Sequence, residues 1–201
     1  AEYDMGKWGD LNFQSYWERH YLSNQDFPLP TVVVDNVDTE LRHAFGVEIG
    51  EHAVNTLVYG LNYRFADING PATKPINNVA GFLQDELRLY DKVIINGGAR
   101  VDYQHDFAGT NVAAHGSVVW LAHPVYTFRV GAGSAFTTPN YIHYNTEIAQ
   151  PIVPIAAVAG NPNLKAEKIL YFDLSNTIRP HERISINADA FYYRMNNMIT
   201  P

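Results

Sequence analysis

The sequence predicts an all-β fold, namely an antiparallel up-and-down transmembrane β-barrel segment. Three observations support this prediction: residue character alternates with a period of two, short and long connections take turns along the chain, and the composition is aromatic with few charges. Of the 201 residues, 46% are apolar and 13% aromatic, whereas 17% are charged, compared with about 25% in soluble domains. The chain therefore has enough apolar material to be ordered, without the charged surface of a typical soluble domain.

The composition also excludes several classes of function. There is no cysteine, which excludes a disulfide scaffold, a thiolate zinc site and a cysteine nucleophile. A net charge of -7 argues against binding to nucleic-acid phosphates. The longest apolar stretch, residues 151–159, is interrupted by prolines and too short for a transmembrane helix. Residues 1–4 lack the features of a signal peptide, so we expect a mature chain or an excerpt of a longer one.

The two-residue periodicity is clearest in residues 57–65. Leu57, Tyr59, Leu61, Tyr63 and Phe65 alternate with small or polar residues, which gives a strand one face of large apolar groups. Similar alternation predicts nine strands, at residues 11–19, 37–49, 57–65, 80–90, 93–103, 112–122, 127–136, 170–175 and 183–192. No segment carries a convincing helix signal.

The connections between these strands are of two kinds. Short connections are predicted at 50–53, 90–92, 122–126 and 179–182, and longer polar or proline-bearing ones at 20–36, 66–78, 104–111 and 137–168. A meander with its tight turns at one end and its long loops at the other needs every strand antiparallel to its neighbour. A soluble β-sandwich also alternates, but the loop asymmetry favours an outer-membrane barrel, whose tilted strands of about 10 residues cross the apolar band.

Aromatic residues near the predicted strand ends fit the same interpretation. Interfacial girdles of aromatic side chains are typical of membrane barrels. The candidates are Trp8, Trp17, Tyr63, Phe65, Tyr90, Tyr103, Tyr126, Phe136 and Tyr192.

Several sequence motifs resemble those of TonB-dependent outer-membrane receptors. The runs Ser-Ala-Phe-Thr-Thr-Pro at 134–139 and Gly-Asn-Pro-Asn-Leu-Lys-Ala-Glu-Lys at 160–168 are similar to a paired box of that family. Gly-Phe-Leu-Gln-Asp-Glu at 81–86, Gly-Gly-Ala-Arg-Val-Asp-Tyr at 97–103 and residues 190–199 are similar to three of its strands. Ala166 stands where the family usually has proline, which weakens assignment to a ligand subclass.

The resemblance implies a 22-stranded barrel around an N-terminal plug. Residues 1–201 would then be part of the barrel domain, with the plug and the remaining strands absent from this chain. It further implies an outer-membrane location in a Gram-negative bacterium, no enzyme activity and no resident cofactor. The implied partners are outer-membrane lipid, the plug and remaining strands, the TonB complex, and a transported iron chelate. Among the candidate transported ligands, a ferric siderophore ranks first, and haem or cobalamin is the alternative. A passive porin-like channel and a soluble all-β binding protein are the alternatives from other classes.

Strand direction assigns the histidines to the two ends of the predicted sheet. His20, His105 and His143 fall on the long-loop side, where a ligand would arrive, whereas His52, His123 and His181 fall in the tight turns. The resemblance implies a role for His143 as a haem ligand, because haem receptors use a loop histidine between the two boxes. Tyr141 and Tyr144 would stack on a catecholate or porphyrin. The alternative is that all three are solvated or loop-packing residues.

The polar parity of the strands predicts which charges face the interior. These are Glu40, Arg42, Arg64, Arg100, Asp102, Arg183 and Asp189. Arg100 would attract an anionic siderophore, although charges in a barrel interior usually pair with one another or with the plug. His43 and Asp85 fall on the lipid parity, where a charge costs a few kcal/mol. We expect these two either near an interface or shifted inward by a bulge.

Overall fold

Ten β-strands form one sheet. The structure, a computed structural model, describes residues 1–22, 32–69, 75–105, 109–139, 161 and 163–198. The strands are β1 (Glu2–Asp4), β2 (Asp10–Leu22), β3 (Val32–Ile49), β4 (Ala53–Asn69), β5 (Ile76–Leu89), β6 (Val93–Gln104), β7 (Gly109–His123), β8 (Tyr126–Thr137), β9 (Glu167–His181) and β10 (Ile184–Asn196). A 3-10 turn, Gly6–Trp8, joins β1 to β2. Among the described residues, no helix is long and apolar enough to cross a membrane.

The spatial order of the strands is their order in the sequence, and each neighbouring pair is antiparallel. The predicted all-β meander is therefore confirmed, but the count of nine strands was one too low. The additional strand is β1, whose three residues are too few to show a periodicity. Several strands also extend beyond their predicted ends: β3 begins at Val32 and β4 ends at Asn69.

The tight turns lie at one end of the sheet and the long connections at the other, as predicted. Tyr90 and Asp91 both have positive φ angles, 50° and 52°, and the Lys92 backbone N–H donates to the Leu89 carbonyl at 2.9 Å. Two central residues with positive φ define a type I′ turn, whose twist matches that of a hairpin. This turn fixes the register of β5 and β6.

The two faces of the sheet differ sharply in chemistry. Successive residues point to opposite faces, and we name them after Asn62 (polar face) and Leu61 (apolar face). Asn62 is 4% exposed and Leu61 is 63% exposed. The five buried polar residues of the described chain are Asp38, Asn62, Asn78, Asp102 and Asn111. In a single-layer sheet, the side chains of one face are buried by their neighbours on that face. The exposed Tyr59, Leu61 and Ile186 agree with the predicted outward, apolar face.

Glycines on the polar face make room for rings from the next strand. A Cβ atom at Gly60 would lie 2.7 Å from the Phe82 Cζ atom, and one at Gly98 would lie 2.6 Å from the His115 Cε1 atom. Gly133 stands in the same relation to the Tyr171 hydroxyl. An aromatic ring laid over a strand glycine shields its backbone and pins the register.

His43 and Asp85, the two polar residues predicted on the lipid parity, do lie on the apolar face. The pairing of β3 with β4 and of β4 with β5 is uninterrupted, so a bulge does not turn them inward. Asp85 lies toward the tight-turn end of β5, where the Asn55 side-chain amide donates to it at 2.8 Å. His43 Nδ1 is 3.0 Å from the Tyr59 hydroxyl, so neighbouring strands supply partners for both.

Candidate functional site on the polar face

A hydrogen-bonded cluster runs across β3 and β4 on the polar face. Asn62 Nδ2 donates to Asp38 Oδ1 at 2.8 Å, and Arg64 Nε donates to Asp38 Oδ2 at 2.8 Å. Asp38 lies directly opposite Arg64 in the register, so the pairing follows from strand alignment. Both oxygens of the 8% exposed Asp38 are thereby satisfied within the wall of the sheet.

The cluster continues onto β5 and β6 through Arg100. Arg100 donates to Asp102 from Nε at 2.7 Å and from Nη2 at 3.0 Å, and Nη2 lies 3.4 Å from Asn62 Oδ1. Asn78 Nδ2 donates to the same Asp102 carboxylate at 3.1 Å. Ala80, opposite Asp102 on β5, is 1% exposed, because the surrounding polar side chains cover it. We call the six hydrogen-bonded residues the polar network: Asp38, Asn62, Arg64, Asn78, Arg100 and Asp102.

Two concavities adjoin the polar network. One has a volume of about 210 Å³ and is lined by Tyr16, Asp38, Arg64 and neighbouring polar groups. The other, of about 360 Å³, includes Arg42, Gln84 and His115 in its lining, and we call it the His115 cavity. Glu40 and Arg100 line both.

Positive charge in the His115 cavity comes mainly from Arg42. The Arg100 guanidinium is already held by Asp102. In the described part of the chain, Arg42 makes no ion pair or side-chain hydrogen bond. Glu40 supplies the opposing carboxylate. This arrangement suits binding and orienting a charged group rather than covalent chemistry, because it has no nucleophile held beside a base.

The predicted ligand-contact residues lie at different levels. Arg100 lies within β6, while His105 follows the end of that strand at the long-connection end, where its Nδ1 atom is 2.9 Å from the Tyr103 hydroxyl. Tyr141, His143 and Tyr144 fall outside the described residues, so their roles stay predictions. The structure therefore does not bring Arg100 and His105 into one site.

The structure also shows where other histidines and charged residues lie relative to the two ends of the sheet. His20 lies near the long-connection end of β2, and His52 lies in the tight turn after β3, stacked on Tyr90 at 4.9 Å between ring centroids. Arg183 is the exception among the predicted interior charges: it lies in the turn between β9 and β10, because the strand begins one residue later.

Sequence reasoning missed three residues of this face: Asp38 and Asn78 in the polar network, and His115 in the neighbouring cavity. Alternation along β7 carries the signal for His115, which shares the parity of Asn111 and Ser117. Its proximity to Gly98 depends on the β6–β7 register, which no single strand encodes. Among the described residues, no group of three or more His, Asp or Glu side chains is arranged to hold a metal ion.

Comparison with known proteins identifies the family. The family model described as "TonB dependent receptor-like, beta-barrel" matches residues 2–201. The iron-regulated outer membrane virulence protein of Vibrio cholerae serotype O1 is 24% identical over 201 residues, which cover 98% of this chain and 30% of that protein. The chain thus spans about a third of the length of this relative.

Solved structures show the same fold. The siderophore receptor PirA from Pseudomonas aeruginosa has a TM-score of 0.74 at 18% identity, covering 94% of this chain and 36% of that chain. A mutant of the ferric enterobactin receptor PfeA from Pseudomonas aeruginosa, in complex with enterobactin, has a TM-score of 0.74 at 15% identity, covering 94% and 32%. These findings decide against the porin-like and soluble alternatives. The chain belongs to the TonB-dependent receptor-like β-barrel family.

Proposed function

We propose that residues 1–201 form part of the barrel domain of a receptor that imports a ferric siderophore with energy from the TonB complex. The observation that carries this proposal is the sheet that buries Asp38, Asn62 and Asp102 on its polar face while exposing Leu61 and Ile186 on the other. Such a sheet separates a wet interior from lipid. The names of its relatives, an iron-regulated outer-membrane protein and two siderophore receptors, support an iron chelate as cargo.

Other strands and a plug complete the proposed barrel. In the part of the chain that the structure describes, β1 pairs only with residues 10–12 of β2, and β10 pairs only with β9. Backbone groups left unpaired in hydrocarbon cost several kcal/mol each, so both edges need neighbouring strands. In our proposal these strands, the plug and the segment that contacts the TonB complex come from other parts of the protein.

The polar face acts as the wall of the transport path. Arg42 places a guanidinium without an ion-pair partner in the described part of the chain beside the Glu40 carboxylate of the His115 cavity, and this guanidinium attracts an anionic chelate, while Asp102 reduces the contribution of Arg100. Contacts of this kind are individually weak, so the cargo can bind and leave. Transport follows from differential binding by two states of the receptor, and no bond in the cargo is broken.

The first contacts with the cargo are assigned to the long connections. His105 lies at that end of β6, and its Tyr103 partner holds one nitrogen of its ring. Tyr141, His143 and Tyr144 lie in the sequence between the end of β8 and the start of β9, and we propose that they contact the chelate. Tyrosine rings provide stacking surfaces for catecholate groups, and the histidines provide hydrogen bonds.

The test is uptake by the full-length receptor in a Gram-negative host that lacks its own siderophore receptors. Radioactive iron would be supplied as catecholate, hydroxamate or carboxylate chelates, and separately as haemin. We expect uptake of one ferric chelate class that disappears in a host without TonB. Uptake of haemin alone would assign the receptor to haem instead, and uptake independent of TonB would refute the proposal.

A further inference from the structure

A groove of about 610 Å³ crosses the apolar face at the junction of β2, β3, β4 and β5. Its lining is mostly apolar and includes Leu11, Leu41, Leu61 and Gly81. Leu41, Leu61 and Gly81 stand opposite one another across three neighbouring strands. Because Gly81 has no side chain, the row is interrupted there, and the gap between its neighbours forms the floor of the groove. We call it the Gly81 groove.

One side of the Gly81 groove is closed by the segment that leads into β2. Met5, just before the 3-10 turn, lines the groove together with His43. The Trp8 carbonyl is 2.7 Å from His43 Nε2, and the other ring nitrogen of His43 is 3.0 Å from the Tyr59 hydroxyl. These contacts fix the turn against β3 and β4, so the groove has defined walls.

Beside the groove, on its side nearest the tight turns, the 3-10 turn that follows Met5 carries a cation and an indole ring. Lys7 Nζ lies 5.4 Å from the centre of the Trp8 ring, and Trp8 is 67% exposed. Exposed lysine and tryptophan at the edge of an apolar band are typical of the level of lipid headgroups. The tight turns of an outer-membrane barrel face the periplasm, which places this side of the groove in the periplasmic leaflet.

We propose that the Gly81 groove binds one phospholipid of the periplasmic leaflet. An acyl chain lies along Leu41, Leu61 and Gly81, and the phosphate lies near Lys7 and Trp8. The apolar lining matches the chain, and the lysine charge complements the phosphate. The outward face of a barrel in this family already contacts the bilayer, so a phospholipid is the occupant within reach. This inference rests on family membership and is independent of the transported cargo.

The test uses the full-length receptor reconstituted in vesicles of phosphatidylethanolamine that carries a photoactivatable diazirine in one acyl chain. After illumination, mass spectrometry locates the labelled peptides. We expect labelling of the strands around Leu41 and Leu61 in the unmodified receptor and its loss in Gly81→Leu. A Cβ at Gly81 would be 3.7 Å from Leu61 Cδ2, an ordinary contact, so the substitution fills the groove without disturbing the backbone.

Gly116→Leu is the matched control, because Gly116 lies on the apolar face of β7 with 3.7 Å between a Cβ and the nearest atom, the Asn96 carbonyl oxygen. Labelling near Leu41 should survive in this variant. Labelling that persists in Gly81→Leu, or that is lost equally in both variants, would overturn the proposal.

Lys7→Glu tests the headgroup contact in an exposed turn: we expect several-fold weaker labelling, and unchanged labelling would contradict the phosphate assignment. Iron uptake plays no part in these measurements, so they succeed or fail separately from the proposed function.

Discussion

Replacing Asp102 by alanine tests the polar network at its most connected point. The substitution removes the acceptor of three hydrogen bonds, two from Arg100 at 2.7 and 3.0 Å and one from Asn78 at 3.1 Å. Breaking a buried ion pair by removing one partner costs about 3–5 kcal/mol. We expect the lower end of that range, about 3 kcal/mol, because the Arg100 side chain is 35% exposed and water can replace part of what it loses.

The assay is urea unfolding of the full-length receptor in detergent, monitored by tryptophan fluorescence. It compares the unmodified receptor with Asp102→Ala, Arg100→Ala and the double variant. We expect a coupling free energy of about 1–2 kcal/mol between the two sites, within the range measured for residues in one network. Arg183→Ala is the control. This residue lies in a tight turn, and its side chain makes no ion pair in the described part of the chain. A coupling near zero, or an Asp102→Ala effect as small as that of the control, would refute the reasoning.

Three further predictions follow from the faces of the sheet. Gly60→Val places methyl groups against the Phe82 ring, which lies 2.7 Å from an added Cβ, so we expect a lower yield of folded receptor in a heat-modifiability gel. Arg42→Glu replaces a cation of the His115 cavity by a second carboxylate beside Glu40; about 1 kcal/mol of lost attraction would weaken the binding of an anionic chelate about fivefold in titration calorimetry. Arg19→Ala removes the exposed ion pair with Asp35 and should leave the urea midpoint of unfolding unchanged, because solvent and salt screen such pairs.

The main architecture could be predicted from sequence because its signals are local. The alternation in 57–65 identifies the outward side of β4, and the contrast between the turn at 90–92 and the connection after Thr137 identifies the two ends of the sheet. The strand ends were harder to predict. β3 begins at Val32 because residues such as Asp35 are held by a partner on β2, and that partner depends on register rather than on the β3 sequence.

The site could be predicted only in part for the same reason. The parity of β6 placed Arg100 and Asp102 on the interior face, two residues apart, but the contacts with Asn62 on β4 and Asn78 on β5 depend on the alignment of three strands. The position of His115 over Gly98 similarly requires both strands. His43 and Asp85 are unfavourable on the apolar face when each strand is considered alone, and the adjacent strand supplies a polar partner for each.

The self-contained bonding of Asp38, Asn62, Arg64, Arg100 and Asp102 has a mechanical consequence. A neighbouring domain that contacts this face and then moves away leaves none of these five residues without a partner, because each keeps its hydrogen bond within the sheet. Separation from these five residues therefore carries little electrostatic penalty, and the force needed to move the neighbouring domain is set by its contacts elsewhere.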